Sequence, residues 1–403
     1  MSLGAIFNRF EPAAIKRMIN NAKMVSSYSG KPFLVVLADM SKCILKYNVG
    51  YMEYNLFHFV DKSQKERDTY ITFNQSQALF RMLNDRDYMD TFDNKLKFDK
   101  AFSKYLGREF IDAAHCSFNE FKKYCKGKKE IFCKPVNSCS GKGIYKSIKI
   151  DKDTDIKELH QFMIDNDLFC EDTIEQHKTM KKLHEESINT IRVVTVLKDN
   201  KAYVMYTLVR IGIGDMKVDN VGSGGIYTVL SDDGVIVSPA WSDKTITTYD
   251  KHPTNGINLI GFKIPMFKKV LDLCKKAALV EPHIRYVGWD VAITPDGPVL
   301  VEGNQLPGYD MAQNYFASGK TVGLRPKFEE LLGRIEWFIK VVKHATFYED
   351  KIVKINYDID QISKFGPIYK ATNLIEDLGF DPSCIDQDKV DNYIDSWESG
   401  PRN

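Results

Sequence analysis

The sequence has no apolar run approaching the ~20 residues that span a bilayer, which argues against a membrane-crossing helix. It has little net charge. Against 56 Lys and Arg stand 54 Asp and Glu, a formal balance of +2, so there is no general pull toward nucleic acid or anionic lipid. No C-x-x-C pair is present and no Cys/His cluster has zinc spacing, which removes the common zinc and dithiol motifs. The apolar N-terminal stretch meets Arg9 and Glu11 too early to form a signal-peptide core. No internal repeat or low-complexity linker interrupts the chain, and no Ser/His/Asp or Cys/His constellation offers a protein nucleophile. The eight cysteines (Cys43, Cys116, Cys125, Cys133, Cys139, Cys170, Cys274 and Cys384) fit reduced, mostly buried thiols, and hence a cytoplasmic protein.

What is there is a chain of 403 residues, long enough for a large core and two or three subdomains. Hydrophobic content of 43% and charged content of 27% are those of a globular protein, which disfavours disorder. Residues 1–85 carry helical spacing in Ala13–Ile19 and Gln75–Leu83 and are read as a mostly helical N-terminal region. A further helix opens within Phe92–Phe98, capped by Asp93 or Asn94. From Ile131 the texture changes to short β-rich runs: Ile131–Lys134, Leu168–Cys170, Ile191–Leu197 and Ala202–Val209. Lys198–Lys201 joins the last two as a hairpin turn, and helical patterns at Ile156–Asn166 and Met266–Leu279 are interspersed. This mixture predicts an α+β domain with antiparallel sheets over 86–345 and a small helical C-terminal extension over 346–403.

Four pieces carry chemistry. The first is Trp289–Asn304, in which two apolar runs flank Pro295–Pro298, a strong turn signal. Asp290 is expected to start the first strand of this hairpin. Glu302 and Asn304 end the second strand and share a face, because side chains alternate along a strand. Three hard oxygen ligands then meet, which suits Mg²⁺; an ordinary hairpin with polar ends accounts for the same residues. The second piece is strand-borne Lys134 followed by a small-residue loop from Asn137 to Ile144, containing Ser140, Gly141, Lys142 and Gly143. Small residues let backbone N–H groups approach phosphate oxygens, but no Gly-Lys-Ser/Thr closes the loop as in a Walker A motif. The third is a strand that runs through Glu171 into a polar, extended connection containing Ile174. The fourth is Asn189–Arg192, then Arg210, then Asp219-Asn220 with the Gly-rich run Gly222–Gly225. Arginine offers a planar fork for carboxylates and phosphates, and the two arginines lie near the open ends of a predicted hairpin.

The order of these pieces resembles the ATP-grasp superfamily of carboxylate–amine ligases over roughly residues 86–340. Glu302-Gly303-Asn304 is the most specific match. Asn189–Thr195 and the Lys134-Pro135 loop are similar to the sugar-transfer-associated group, whose members resemble accessories to surface polysaccharide synthesis. The resemblance implies an ATP-grasp fold, two α+β lobes clasping ATP, with a lobe boundary near 172–176. It implies that Lys134 and Lys95 contact nucleotide phosphates and that the Asn137–Ile144 loop closes over them. Glu171 and Ile174 would frame adenine, and Asp290, Glu302 and Asn304 would hold Mg²⁺. Arg210 and Asn220, with Arg192, would face the transferring phosphate. The ribose contact stays unassigned, because Glu185 and Glu186 are out of register for it. The activity so implied is ATP-dependent amide formation between a small carboxylate and an amine, a sugar or amino acid among them. A kinase acting on a hydroxyl and a non-catalytic nucleotide-binding scaffold use the same residues. Oligomeric state is left open by the sequence.

Overall fold

The structure is a computed structural model that describes residues 12–47, 49–135 and 146–333, together with strands at 342–348 and 351–357. It divides into two compact units: the described residues among Met1–Met82, Gln313–Tyr315 and Lys320–Asn403, and those of Leu83–Ala312 with Phe316–Gly319.

The first unit begins with helices at Pro12–Ser29, Phe33–Tyr47, Tyr51–Leu56 and Gln64–Arg67. Val36, Met40 and Cys43 recur at helical spacing and form the buried face of Phe33–Tyr47. Asp39 on the same helix accepts two hydrogen bonds from Arg67, at 2.8 and 2.6 Å, and one from the Tyr54 hydroxyl.

The second unit holds two antiparallel sheets. The smaller contains β1 (Phe110–Ile111), β2 (Glu130–Pro135), β3 (Lys146–Lys149) and β4 (Leu168–Asp172), in the order β1-β4-β2-β3. Two helices cover it. Phe118–Cys125 starts with a capping box made by Ser117 and Glu120, and Ile156–Asp165 is capped by Asp155. Phe121, Ile131, Cys133, Met163, Leu168 and Cys170 fill the space between. The larger sheet contains β5 (Ile191–Lys198), β6 (Lys201–Ile211), β7 (Ile226–Val229), β8 (Ala240–Ser242), β9 (Thr247–Tyr249), β10 (Tyr286–Ile293) and β11 (Pro298–Asn304). Its order is β11-β10-β5-β6-β7-β8-β9. The expected β5–β6 turn is present, with Asp199 and Asn200 both at positive φ, 51° and 57°, as a two-residue hairpin requires.

One face of this sheet is covered by Phe267–Ala277 through Phe267, Val270, Cys274 and Ala277. Lys95–Leu106 packs beside it. Asn94, one of the two expected caps, accepts from Lys97 N at 3.0 Å. Phe98 and Phe102 on this helix join Phe92 in an aromatic group against the buried Trp289.

Two expectations need correction. Asp290 does not start β10; it sits in the middle, because Tyr286–Trp289 already pairs with β5 as a continuous buried run. The C-terminal extension is not helical where it first comes into view. Val342–Tyr348 and Lys351–Tyr357 form a two-stranded antiparallel ladder, which suits their Val, Ile, Thr and Tyr content. The helical pieces expected near Ile359 and Thr372 lie outside the described residues.

Candidate active site

The β10–β11 hairpin turns at Thr294–Gly297, where Thr294 N donates to the Gly297 carbonyl at 2.9 Å. Register places Asp290 opposite Glu302 and Gly288 opposite Asn304, so the three polar side chains occupy one face. The side-chain amide of Asn304 donates to Glu302 Oε1 at 3.3 Å and lies 3.5 Å from Asp290 Oδ2. Between them Gly303 is required, since a Cβ there would meet Phe98 and Phe92 ring atoms at 2.8 and 2.9 Å. The same close packing that holds Trp289 therefore fixes the strand that carries Glu302 and Asn304.

Asp290 also pairs with Arg192 on β5. The Arg192 guanidinium takes both carboxylate oxygens, at 2.5 and 2.9 Å. Room for it comes from Gly288, where a Cβ would stand 3.1 Å from Arg192 Cδ. Arg210 enters from β6 and reaches Asp290 Oδ2 at 2.6 Å. It is steadied by Thr190 Oγ1, which accepts from it at 2.9 and 3.1 Å, and by Asp219 at 3.7 Å. Asp219 in turn accepts from the Thr190 N–H at 2.8 Å. Complete burial would raise the Asp290 carboxyl, but Arg192 and Arg210 outweigh it and hold the group below the usual carboxylate range. Asp219 is pushed up by its burial. Glu302 is exposed to solvent, yet protein atoms crowd its carboxyl. That crowding, and then the neighbouring Asp290 charge, push its carboxyl up.

Lys134, the last residue but one of β2, pairs with Glu171 on β4, Nζ to Oε2 at 2.6 Å. Glu171 is buried; burial would raise its pKa, but the charges of Lys134 and Arg108 prevail and lower it. Arg108 binds Glu171 Oε1 at 3.0 Å and also donates to the Leu300 carbonyl of β11 at 2.6 Å. One guanidinium thus ties the lysine-bearing sheet to the strand that carries Glu302. Asp99, 4.0 Å from Arg108, is pushed up by burial and by Glu171. Asp99 Oδ2 and Arg108 Nε are buried without a hydrogen-bond partner.

Asp290, Glu302, Asn304, Arg192 and Arg210 are therefore brought together, and Lys134 and Glu171 form a second group linked to them by Arg108. Asn220 is not in either group. It is exposed and folds its own loop, accepting from Gly222 N at 3.0 Å before Gly224 turns at φ 115°. Ile174 is half-buried in the extended connection after β4, and Lys95 is half-buried at the first position of its helix. Ser140, Gly141, Lys142 and Gly143 lie outside the described residues. Sequence reasoning placed Thr190 and Asp219 beside Arg192 and Asn220 without giving them a role, and it overlooked Arg108 and Asp99. Asp99 sits between Phe98 and Phe102 on an otherwise apolar helix face, which was the available signal.

The donor set fits a hard divalent cation. Two carboxylates stand side by side, one of them reachable from solvent, and an amide lies within reach. Glu302 and Asn304 suit it best, since both Asp290 oxygens accept from guanidinium groups. Among the described residues no group of three or more His, Cys, Asp or Glu side chains is placed to hold a metal ion. A Mg²⁺ site usually takes only one or two carboxylates and completes its shell with water and phosphate.

The family model described as sugar-transfer associated ATP-grasp matches residues 66–325, well over half of the sequence. The chain belongs to that family. The matched region contains both antiparallel sheets, and helices precede it. No curated protein matches the sequence. Solved structures to which this ATP-grasp chain is similar include an L-amino acid ligase from Bacillus licheniformis, at 13% identity over 59% of this chain and 46% of that one, TM-score 0.35. Another is the ATP-grasp ligase PsnB with a precursor variant, Mg and ADP, at 12% identity over 60% and 59%, TM-score 0.33. D-alanyl-alanine synthetase A from Vibrio cholerae gives 13% over 62% and 63%, TM-score 0.34. The match spans less than two thirds of each of these proteins.

Proposed function

We propose that this ATP-grasp protein is an ATP- and Mg²⁺-dependent ligase that joins a small carboxylate to an amine through an acyl phosphate. The observation that carries this reading is the convergence of Arg192, Arg210, Asp290, Glu302 and Asn304 on one sheet face, linked by Arg108 to the Lys134–Glu171 pair. Phosphoryl transfer to a carboxylate requires alignment and charge neutralisation more than a protein nucleophile. Glu302 and Asn304, with Asp290 behind them, would hold Mg²⁺, which when bound screens phosphate charge. Lys134, oriented by Glu171, would bring its ammonium to the nucleotide phosphates, and Lys95 and the Asn137–Ile144 loop would approach them as well. The backbone from Glu171 to Ile174 would frame the adenine. Arg210 and Arg192, held rigid by Asp290 and Thr190, would offer fixed positive charge to the incoming carboxylate and the developing acyl phosphate, with no reorganisation at the moment of reaction. Asn220 would act from its glycine-rich loop at the same end of β6.

The two arginines favour a carboxylate acceptor such as a uronic acid or amino acid, and the family's association with sugar transfer favours a glycan precursor. In this reading residues 86–345 are the catalytic domain, with a lobe boundary near 172–176, flanked by regions over 1–85 and 346–403. Among the described residues no helix is long and apolar enough to cross a membrane, and a cytoplasmic location is proposed.

The test is product analysis. Purified protein with Mg·ATP and candidate pairs of acids and amines should release phosphate only when both partners are present. Phosphorylation of a hydroxyl substrate, with no amide formed, would make the protein a kinase instead. Glu302→Gln should abolish turnover while circular dichroism stays unchanged; wild-type-like turnover in that variant would remove the metal assignment.

A further inference from the structure

In the helical unit a small pocket of about 220 Å³ is lined by Lys42, Lys46, Tyr47, Lys62, Gln64 and Arg67. Its cations are unequally employed. Arg67 is committed to Asp39 and to the Phe59 carbonyl. Lys42, Lys46 and Lys62 form no ion pair and donate no hydrogen bond from their side chains among the described residues. The nearby acids are engaged elsewhere: Glu66 accepts from Ser63, Asp61 pairs with Lys31, and Asp68 accepts from Gln64. Lys62 is the decisive member. It is only 7% exposed, and its ammonium sits over the rings of Tyr315 at 4.8 Å and Tyr70 at 5.5 Å. Burial lowers its pKa, with Glu66 and Asp61 offsetting that only in part. The Lys62 ammonium, held over two tyrosine rings, thus shares a pocket with two further lysines, and none of the three is paired by a carboxylate among the described residues.

We propose that this pocket binds a phosphoryl group of a small ligand. The free donors are lysines, point charges that suit the tetrahedral, multiply charged phosphate, whereas the one planar guanidinium fork is already occupied by a carboxylate. The volume lies below the roughly 300–1,000 Å³ of drug-sized ligand sites, so it admits a phosphate or diphosphate end group rather than a whole nucleotide. Gln64 donates to the Tyr47 hydroxyl at 2.6 Å and closes one wall. None of these residues belongs to the proposed ATP site, and the inference does not depend on the ligase reading.

The test uses the full-length protein, titrated calorimetrically with inorganic pyrophosphate and with orthophosphate. Saturable pyrophosphate binding is expected, weakened by at least about tenfold in Lys62→Met and largely kept in Lys62→Arg and Lys134→Met. Lys62→Met should melt close to wild type, because it removes a charge that forms no ion pair among the described residues and keeps an apolar stem against both tyrosines. Cosedimentation with phosphatidylcholine vesicles containing phosphatidic acid separates the sources. Lys62-dependent vesicle binding assigns a lipid headgroup, and pyrophosphate binding alone assigns a soluble phosphate ester; both uphold the pocket. Absence of saturable binding overturns the proposal. So does equal affinity in Lys62→Met, or loss confined to Lys134→Met, which moves the anion to the nucleotide site.

Discussion

At Asp290 one carboxylate answers two guanidinium groups inside a fully buried ladder, and this arrangement makes opposite demands on its neighbours. Asp290→Asn leaves Arg192 and Arg210 without their counter-charge and should cost about 3–5 kcal/mol, read as a lower midpoint in urea denaturation. The folded pKa of Asp290 lies below its unfolded value. Its contribution is thus complete above about pH 4 and fades only as pH falls through the lower folded value. Glu302 has the reverse sign. Its folded pKa is raised, so its ionised form costs stability above that value, and the cost vanishes below the unfolded value near about 4.3. Glu302→Gln should therefore raise the melting temperature of the ligand-free protein at neutral pH, and the gain should shrink in melts taken at increasingly acid pH. A melting temperature lowered at neutral pH would contradict the assignment of Glu302 as a group held charged for function. Sequence reasoning reached Asp290, Glu302 and Asn304 because strand alternation is a local rule. It did not reach the Arg192–Asp290 contact, since pairing between strands 98 residues apart is not written in either segment. Arg108 was hidden for the same reason: it looks like a surface charge until Glu171 of one sheet and Leu300 of the other are packed against it.

The elements place these groups by packing more than by propensity. Gly303 lets β11 lie against the Phe92 and Phe98 rings, and Gly303→Ala should cost about 1–3 kcal/mol by overpacking. It should also reduce turnover more than that loss of stability explains, because Glu302 and Asn304 flank it. Thermal melts and kcat of the same preparation separate the two effects. The helix over Lys95–Leu106 depends on its Asn94 cap, so Asn94→Ala should cost about 1 kcal/mol. Hairpins, caps and amphipathic helices were legible because turn residues and 3.6-residue spacing are local signals. The true start of β10 at Tyr286 was not, since a strand buried on both faces lacks alternation. The ladder formed by Val342–Tyr348 and Lys351–Tyr357 was missed where helical periodicity farther along drew the reading.

At the scale of the whole molecule the sequence carried the family, because the order of lysine strand, small-residue loop, arginine strands and Glu-x-Asn hairpin is a property of the entire chain. Substrate identity was not legible, since acceptor pockets are built from loops whose contacts have no periodic signature. If the two linked groups form one nucleotide site, Mg·ATP should stabilise the protein by about 2.7 kcal/mol at 100-fold excess over its Kd, and Lys134→Met should diminish that shift. The most direct measurement is a crystal structure with Mg²⁺ and a non-hydrolysable ATP analogue. The account predicts a metal ion at about 2.0–2.1 Å from a Glu302 carboxylate oxygen, with the Lys134 ammonium on the nucleotide phosphates. A nucleotide bound elsewhere, or one seated with Glu302 and Lys134 both turned away from it, would contradict the account.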